Sequence, residues 1–318
     1  MKAARIGQYG GPEVIEVVAN ADRPAISEGQ LLVEVWAASL NPVDTYLRSG
    51  GLRETVPLQF PATLGGDFAG VVAQVGRGVT GFEVDDEVYG QASALLGGTG
   101  SLSELTAASA NMTALKPTSV DFSTAAALPL VGGSAVQAII DHLAVRRGQR
   151  ILIHGAAGGI GSIAVQIAKH LGAHVLATAF TEDVPYVEDL GADEIIDTRK
   201  QAFETVVRDV DGVLDTVGGD FATKSYDVIR RGGTLVSMTA EPDEARMREK
   251  GITAISQFTQ PTTDRLTKLA RLVDEGVVTP RVSRTFSIDR AAEAFRYREE
   301  DKPTGKVVID VHSPAASR

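Results

Sequence analysis

Residues Arg150 to Ala173 read RILIHGAAGGIGSIAVQIAKHLGA, and this stretch decides the fold. It opens on the apolar run Ile151-Leu152-Ile153, whose length and β-branched content suit a buried parallel strand. Four glycines follow within seven residues: Gly155, Gly158, Gly159 and Gly161. Helical spacing then takes over, with Ile160, Ile163, Ala164, Ile167, Ala168 and Leu171 on one face. Lys169 and His170 in the last turn, and Gly172 beyond it, are stop signals. Strand, glycine turn and helix are together the context of a dinucleotide-binding turn. A turn without side chains lets backbone N–H groups reach a pyrophosphate at the positive end of a helix. Candidate contacts are Gly155, Ala156, Gly158, Gly159, Ile160 and Gly161. Aligned on Gly158 and Gly161, Ala156 stands where G-x-G-x-x-G has its first glycine, and Gly155 is expected to relieve the turn instead. The plainer reading is a turn that serves only close packing of helix on strand.

Outward from this motif, strands and helices alternate. His174–Ala179, Glu194–Asp197, Gly212–Gly219 and Gly233–Met238 read as further strands, and 221–229 as a helix. Upstream, 125–143 is helix-like but broken at Pro129 and Gly132-Gly133. The alternation implies a doubly wound parallel sheet with ligand at the carboxyl ends of its strands. Residues 1 to about 125 are β-rich: Leu31–Ala38 and Gly70–Gly76 are strands, and Val84–Gly90 a turn entering another. Helical period shows there only at Val43–Leu47 and around Ser103–Ala110, which suggests a small, partly open barrel. After Pro261 come a helix at Thr263–Glu275, a strand at Phe286–Ile288, a helix at Asp289–Tyr297 and a closing strand at Gly305–Val311. The economical arrangement is a first domain at 1–125, a nucleotide-binding domain at 126–260 inserted into it, and a tail at 261–318 returning to the first. The end, 312–318, is expected to fray.

Composition narrows the function. A net charge of −10 over 318 residues argues against nucleic acid, which needs a basic surface. The absence of cysteine removes disulfides, thiolate zinc ligands and cysteine nucleophiles. The five histidines show no metal-ligand spacing, and no G-x-S-x-G hydrolase signature is present. No apolar run suits a signal sequence or a membrane span, so a cytoplasmic, membrane-free protein is expected.

Cofactor choice turns on the end of the second strand of the nucleotide domain. An NAD-preferring site wants a carboxylate about 20 residues past the glycine turn, for the ribose 2′-hydroxyl. That count reaches Thr178, Ala179 and Phe180, none acidic, which favours NADPH. Glu182 and Asp183 follow at once, so NADH is not excluded. Thr178, Thr181, Arg199 and Tyr186 are the candidates to hold a 2′-phosphate.

Five segments then carry a resemblance: SLNPVDTYLRSG (39–50), FPATLGGDFAG (60–70), ALPLVGGSAVQAI (127–139), HGAAGGIGSIAVQIAK (154–169) and GKVVID (305–310). Through them nearly the whole chain resembles the medium-chain dehydrogenase/reductase superfamily, in its zinc-independent quinone oxidoreductase branch. The resemblance implies a Rossmann sheet inserted into a GroES-like, partly open β-barrel catalytic domain, an α/β protein. Zinc-dependent relatives carry Gly-His-Glu where this chain has Gly65-Gly66-Asp67, and a cysteine ligand that it lacks. The implied activity is therefore hydride transfer from NADPH to a quinone or α,β-unsaturated carbonyl, in a cleft between the domains. Such an acceptor spreads the incoming charge by its own conjugation and asks mainly for positioning. The rivals are a strict enal/enone reductase and a non-catalytic NADPH-binding sensor.

The resemblance also proposes site residues. Asn41 and Tyr46 would line the acceptor site, Asn41 bonding its carbonyl and Tyr46 or solvent supplying a proton. Against that, Asn41 suits a turn before Pro42, Asp44 suits a helix N-terminus and Arg48 the surface. Ser134 would meet the nicotinamide ribose or a phosphate. Asp215, Val217 and Ser237, at strand ends, would pass the cofactor's ribose and nicotinamide, unless Asp215 only caps backbone N–H groups. Phe258 would cover the nicotinamide. A homodimer through the sheet edge is expected, with 234–238 as the pairing strand.

Overall fold

The computed structural model describes residues 1–312. Residues 313–318 of the tail expected to fray lie outside the described residues. His312 itself is anchored: its backbone N–H donates to Trp36 O at 3.2 Å and its ring stacks on Trp36 at 5.5 Å. The chain divides into an α/β unit, Val131–Gln260 with Glu275–Thr279, and a β-rich unit made of Met1–Leu130, Pro261–Asp274 and the chain from Pro280. The helix Phe122–Ala126 stays with the β-rich unit, where Phe122 stacks on Trp36 at 5.0 Å and Ser123 Oγ donates to Asp310 Oδ1 at 2.8 Å. Glu275–Thr279 joins the α/β unit because Thr279 N donates to Gln166 Oε1 at 2.9 Å.

Six parallel strands build the α/β unit. In chain order they are Arg150–Ile153, His174–Ala179, Glu194–Asp197, Val210–Asp215, Ile229–Ser237 and Thr253–Ser256. Their spatial order is 3-2-1-4-5-6. The order reverses between the first and fourth strands, whose register pairs Ile151 with Gly212; in sheets of this order the ligand crevice lies at the carboxyl ends beside that point. Between the first two strands runs the helix Gly159–His170, with Ile163, Ala164, Ile167 and Ala168 buried. Helix Pro129–Val136 passes straight through Gly132-Gly133 and continues as a wider π-turn at Gln137–His142, so the break expected at the glycines does not occur, whereas that at Pro129 does, after the helix Phe122–Ala126. Pro129 heads that helix, where a missing N–H costs nothing. The 234–238 strand has neighbours on both sides and cannot pair outward; the edges are Glu194–Asp197 and Thr253–Ser256. No helix among the described residues is long and apolar enough to cross a membrane.

The β-rich unit carries a seven-stranded sheet and a three-stranded one. Residues Leu105–Ser109 form a strand on Gln30–Leu40, not the helix suggested by their spacing. Alanine-rich LTAAS has no strong preference of its own, and the ladder offered by the long strand decides. Register sets up one polar corner. Asp67 lies opposite Ser39 on one side and Gln91 on the other, while Val307 opposite Leu40 brings Lys306 beside Asn41.

Candidate functional site

The glycine turn is shaped by contacts that leave no room for side chains. Gly155 takes φ +68°, a conformation that favours glycine, and a Cβ there would stand 2.6 Å from Thr216 Oγ1. A Cβ on Gly161 would overlap the Gly155 carbonyl oxygen and lie 2.9 Å from Ala156 Cα, both backbone atoms that cannot swing aside. Gly158 caps the helix and spends its own N–H on Gly155 O at 3.0 Å. The first-turn N–H groups of Gly159, Ile160 and Gly161 then point out of the helix without intrahelical acceptors. Ala156 is buried, its N–H bonded to Thr178 O at 3.0 Å, so it braces the turn from within. Thr178 does the same: its Oγ1 accepts from Gly155 N at 3.2 Å and meets His154 Nδ1 at 3.2 Å. Its hydroxyl is therefore engaged beneath the turn, not offered to a phosphate as the sequence suggested.

His154 sits under the turn, bonded to Thr178 and, through Nε2, to Ser225 Oγ at 3.1 Å. Phe203 and Phe221 pack edge-on against its ring. Burial pushes its pKa down to about 4, against the pull of Asp215 and Glu204. Below pH 6.5 the unfolded chain binds a proton that the folded one refuses. Stability is thus complete above that pH and falls, by on the order of 3 kcal/mol, as pH drops from 6.5 to 4. The stability of wild type minus that of His154→Gln, measured by urea unfolding, should fall by that amount from pH 6.5 to pH 4.

At the far end of the crevice, three expected contacts turn inward. Asp215 is fully buried; its Oδ1 accepts from Val217 N at 3.0 Å and Gly218 N at 2.9 Å, and its Oδ2 accepts from Ser237 Oγ at 2.7 Å. Ser237 in turn accepts from Thr239 N and Ala240 N. Both residues set the strand-end turns, so the capping reading of Asp215 holds. Ser134 is also buried, with Oγ 2.7 Å from Thr259 Oγ1. It belongs to a lacing that sequence reasoning missed: Gln257 Nε2 donates to Ser134 O at 3.0 Å, Gln137 Nε2 to Phe258 O at 3.2 Å, and Gln260 N to Gln137 Oε1 at 3.0 Å. This fixes the backbone under Phe258 while its ring stays 62% exposed. Val217 is exposed as well, which leaves two apolar side chains at the crevice end.

Beyond the second strand, Ala179 is buried and its carbonyl accepts from Thr198 N at 3.0 Å. Arg199 lies 4.6 Å over the exposed Phe180 ring and is gripped by Glu182: Nη2 donates to Oε1 at 2.6 Å and Nε to Oε2 at 3.1 Å. Thr181 Oγ1 donates to Asp197 Oδ2 at 2.7 Å, and Lys200 Nζ lies 2.8 Å from the same oxygen.

In the β-rich unit, the polar corner is a closed network. Asp67 Oδ2 accepts from Asn41 Nδ2 at 2.7 Å, Ser39 Oγ at 3.1 Å and Lys306 Nζ at 3.1 Å. Its Oδ1 accepts from Leu130 N at 2.9 Å and from Gln91 Nε2. Lys306 spends its other two protons on Asn41 Oδ1 at 2.5 Å and Leu40 O at 3.0 Å. Asn41, 1% exposed, has both ends of its amide engaged and is not available to an acceptor carbonyl. It is a positioning residue, and it also heads the helix Pro42–Ser49, where its N–H donates to Asp44 Oδ2 at 2.7 Å. Two residues on, Tyr46 is 58% exposed. Arg48 is not at the surface: it is 2% exposed, paired with Glu299 at 2.8 Å and 5.5 Å from the Phe295 ring centre. Sequence reasoning read Asp67 only as a replaced zinc segment and missed Lys306, Gln91 and Ser39; the available signal was the opposite charges that head two apolar strands, Asp67 and Lys306.

The donor set does not suit zinc. Both oxygens of Asp67 are taken, and the one described histidine of this unit, His312, is committed to Trp36 and Glu34. No group of three or more His, Cys, Asp or Glu side chains converges among the described residues.

Comparison with known proteins now has geometry to stand on. Residues 27–118 match the family described as "Alcohol dehydrogenase GroES-like domain" and residues 190–309 that described as "Zinc-binding dehydrogenase". The "NADPH-dependent alkenal/one oxidoreductase, chloroplastic" of Arabidopsis thaliana is 38% identical, with 97% of this chain and 79% of that protein aligned. Among solved structures, the quinone oxidoreductase of Coxiella burnetii superimposes with a TM-score of 0.88 at 31% identity, covering 98% of this chain and 99% of that one. The Escherichia coli quinone oxidoreductase, solved with NADPH, gives 0.84 at 26% identity, covering 98% and 100%. With a 3-2-1-4-5-6 parallel sheet inserted into a GroES-like unit, the chain belongs to the medium-chain dehydrogenase/reductase superfamily, in its quinone oxidoreductase branch.

Proposed function

We propose that the protein is an NADPH-dependent, zinc-free oxidoreductase that reduces quinones or α,β-unsaturated carbonyls. The observation that carries this is the Gly155–Gly161 turn at the sheet's switch point, packed so closely on itself that a Cβ at Gly155 or Gly161 would clash, with the first-turn N–H groups of the helix after it left without intrahelical acceptors. The names of the relatives, an alkenal/one oxidoreductase and quinone oxidoreductases, supply the acceptor class. Bound NADPH supplies the hydride. The protein's part is to hold and orient: the N–H groups of Gly159, Ile160 and Gly161 would hold the pyrophosphate, and Val217 and Phe258 would flank the nicotinamide end. Asn41, locked by Asp67 and Lys306, fixes the start of the helix that carries Tyr46, and Tyr46, 58% exposed, or solvent supplies the proton to the reduced acceptor. An electron-poor acceptor stabilises its own charge, so the missing zinc donors leave the chemistry intact. A homodimer is part of the reading, paired through the exposed edge Thr253–Ser256.

The test is titration of chelator-treated protein with NADPH and NADH, followed by rates on a quinone panel and an enone panel. Binding with turnover on either panel is expected. Failure to bind both nucleotides, or turnover lost to the chelator, would refute the proposal. In the same titration Gly161→Ala should weaken NADPH by at least about tenfold, roughly 1.4 kcal/mol, since the helix start must shift away from Ala156.

A further inference from the structure

Two cations stand at the carboxyl end of the second and third strands of the parallel sheet, Arg199 and Lys200, and both are already neutralised within the protein. Their carboxylates differ in how firmly they are held. Asp197 is buried and accepts from Thr181 Oγ1 at 2.7 Å and Arg199 N at 3.0 Å in addition to Lys200. Glu182 is exposed; both its carboxylate oxygens accept from Arg199, and its further hydrogen bond is to its own backbone N–H. The edge of the guanidinium that Glu182 occupies, Nε and Nη2, is the planar fork that a phosphate would use. The guanidinium carbon also lies 4.6 Å over the centre of the Phe180 ring, a contact that does not involve Glu182.

We infer that Glu182 is a specificity-determining residue that competes with the cofactor's 2′-phosphate for Arg199. NADPH must displace Glu182 to reach the guanidinium, whereas NADH leaves the pair in place. The chain therefore discriminates between the two nucleotides less than an unoccupied Arg199 would allow. This inference rests on the nucleotide-binding reading above and adds to it the device that sets the preference.

The test is equilibrium binding of NADPH, NADH and 2′,5′-ADP, the last reporting on the phosphate without the nicotinamide. Wild type is compared with Glu182→Gln, Arg199→Gln and the double variant; both positions are exposed, so folding is not at stake. Glu182→Gln should tighten NADPH and 2′,5′-ADP by about tenfold and move NADH by less than about twofold. Arg199→Gln should weaken NADPH by about tenfold, and adding Glu182→Gln to it should gain nothing. An equal change for NADPH and NADH in Glu182→Gln, no change, or a gain that survives the loss of Arg199 would overturn the inference while leaving the functional proposal standing. Wild-type protein that binds none of the three would overturn both.

Discussion

Lys306→Met should destabilise the β-rich unit by about 3–5 kcal/mol, the range for breaking a buried ion pair from one side. Asp67 would keep its bonds from Asn41, Ser39, Gln91 and Leu130 but lose the Lys306 charge that pairs with it. Asn41 Oδ1 and Leu40 O would both lose a donor at the same time. Burial pushes the Lys306 ammonium's pKa down, and the Asp67 carboxylate opposes that shift. The double change Asp67→Asn with Lys306→Met removes both charges and should recover part of the loss, by more than about 1 kcal/mol relative to Lys306→Met alone. Urea unfolding of wild type, Asp67→Asn, Lys306→Met and the double variant measures this. A double variant no more stable than the single would mean that the charge pairing is not what holds this corner.

The second large effect is a pH dependence at Asp44. The side chain is fully buried, its Oδ2 bonded to Asn41 N and its Oδ1 without a hydrogen bond. Burial raises its pKa to about 7, with the Asp67 charge adding to the rise and the Asn41 N–H, Lys306 and Arg298 opposing it. Below about pH 4 the carboxyl is neutral folded or unfolded. Between pH 4 and 7 the unfolded chain gives up a proton that the folded chain keeps, so raising the pH removes stability, on the order of 4 kcal/mol by pH 8. Asp44→Asn carries no such charge and can still accept from Asn41 N. The stability of Asp44→Asn minus that of wild type should therefore climb by that amount from pH 4 to pH 8. Taking the difference cancels the opposite slope from His154, which both proteins share. A difference that is flat with pH would show that Asp44 ionises freely in the folded state.

What the sequence revealed, and what it hid, follows from distance along the chain. The strand, glycine turn and helix at 150–173 could be read directly because each determinant lies within one turn of the next. Gly155 even declared its left-handed turn through the missing glycine at 156. The network around Asp67 could not be read that way. Its members come from five separate segments, and Lys306 meets Leu40 across 266 residues. Only the register of four strands puts them in contact. Ser134, Thr178 and Ser237 were chosen as hydroxyls near a ligand, yet each is buried and already bonded to its own chain. A hydroxyl's neighbours, not its presence, decide its work. The short edge strand Thr253–Ser256 escaped notice because no apolar run marks it.

The insertion has a consequence for biosynthesis. The strand Gln30–Leu40 is made early, but its partner Lys306–Asp310 leaves the ribosome only after the whole α/β unit has been synthesised. At about 5–20 residues per second that interval is on the order of tens of seconds. During it the Ala37–Leu40 end of one flank stays unpaired and Asp67 has no Lys306 beside it, while the α/β unit, made of near-neighbour strands, can already close. The nascent chain is most exposed to aggregation and chaperone capture in that window, at its N-terminal third.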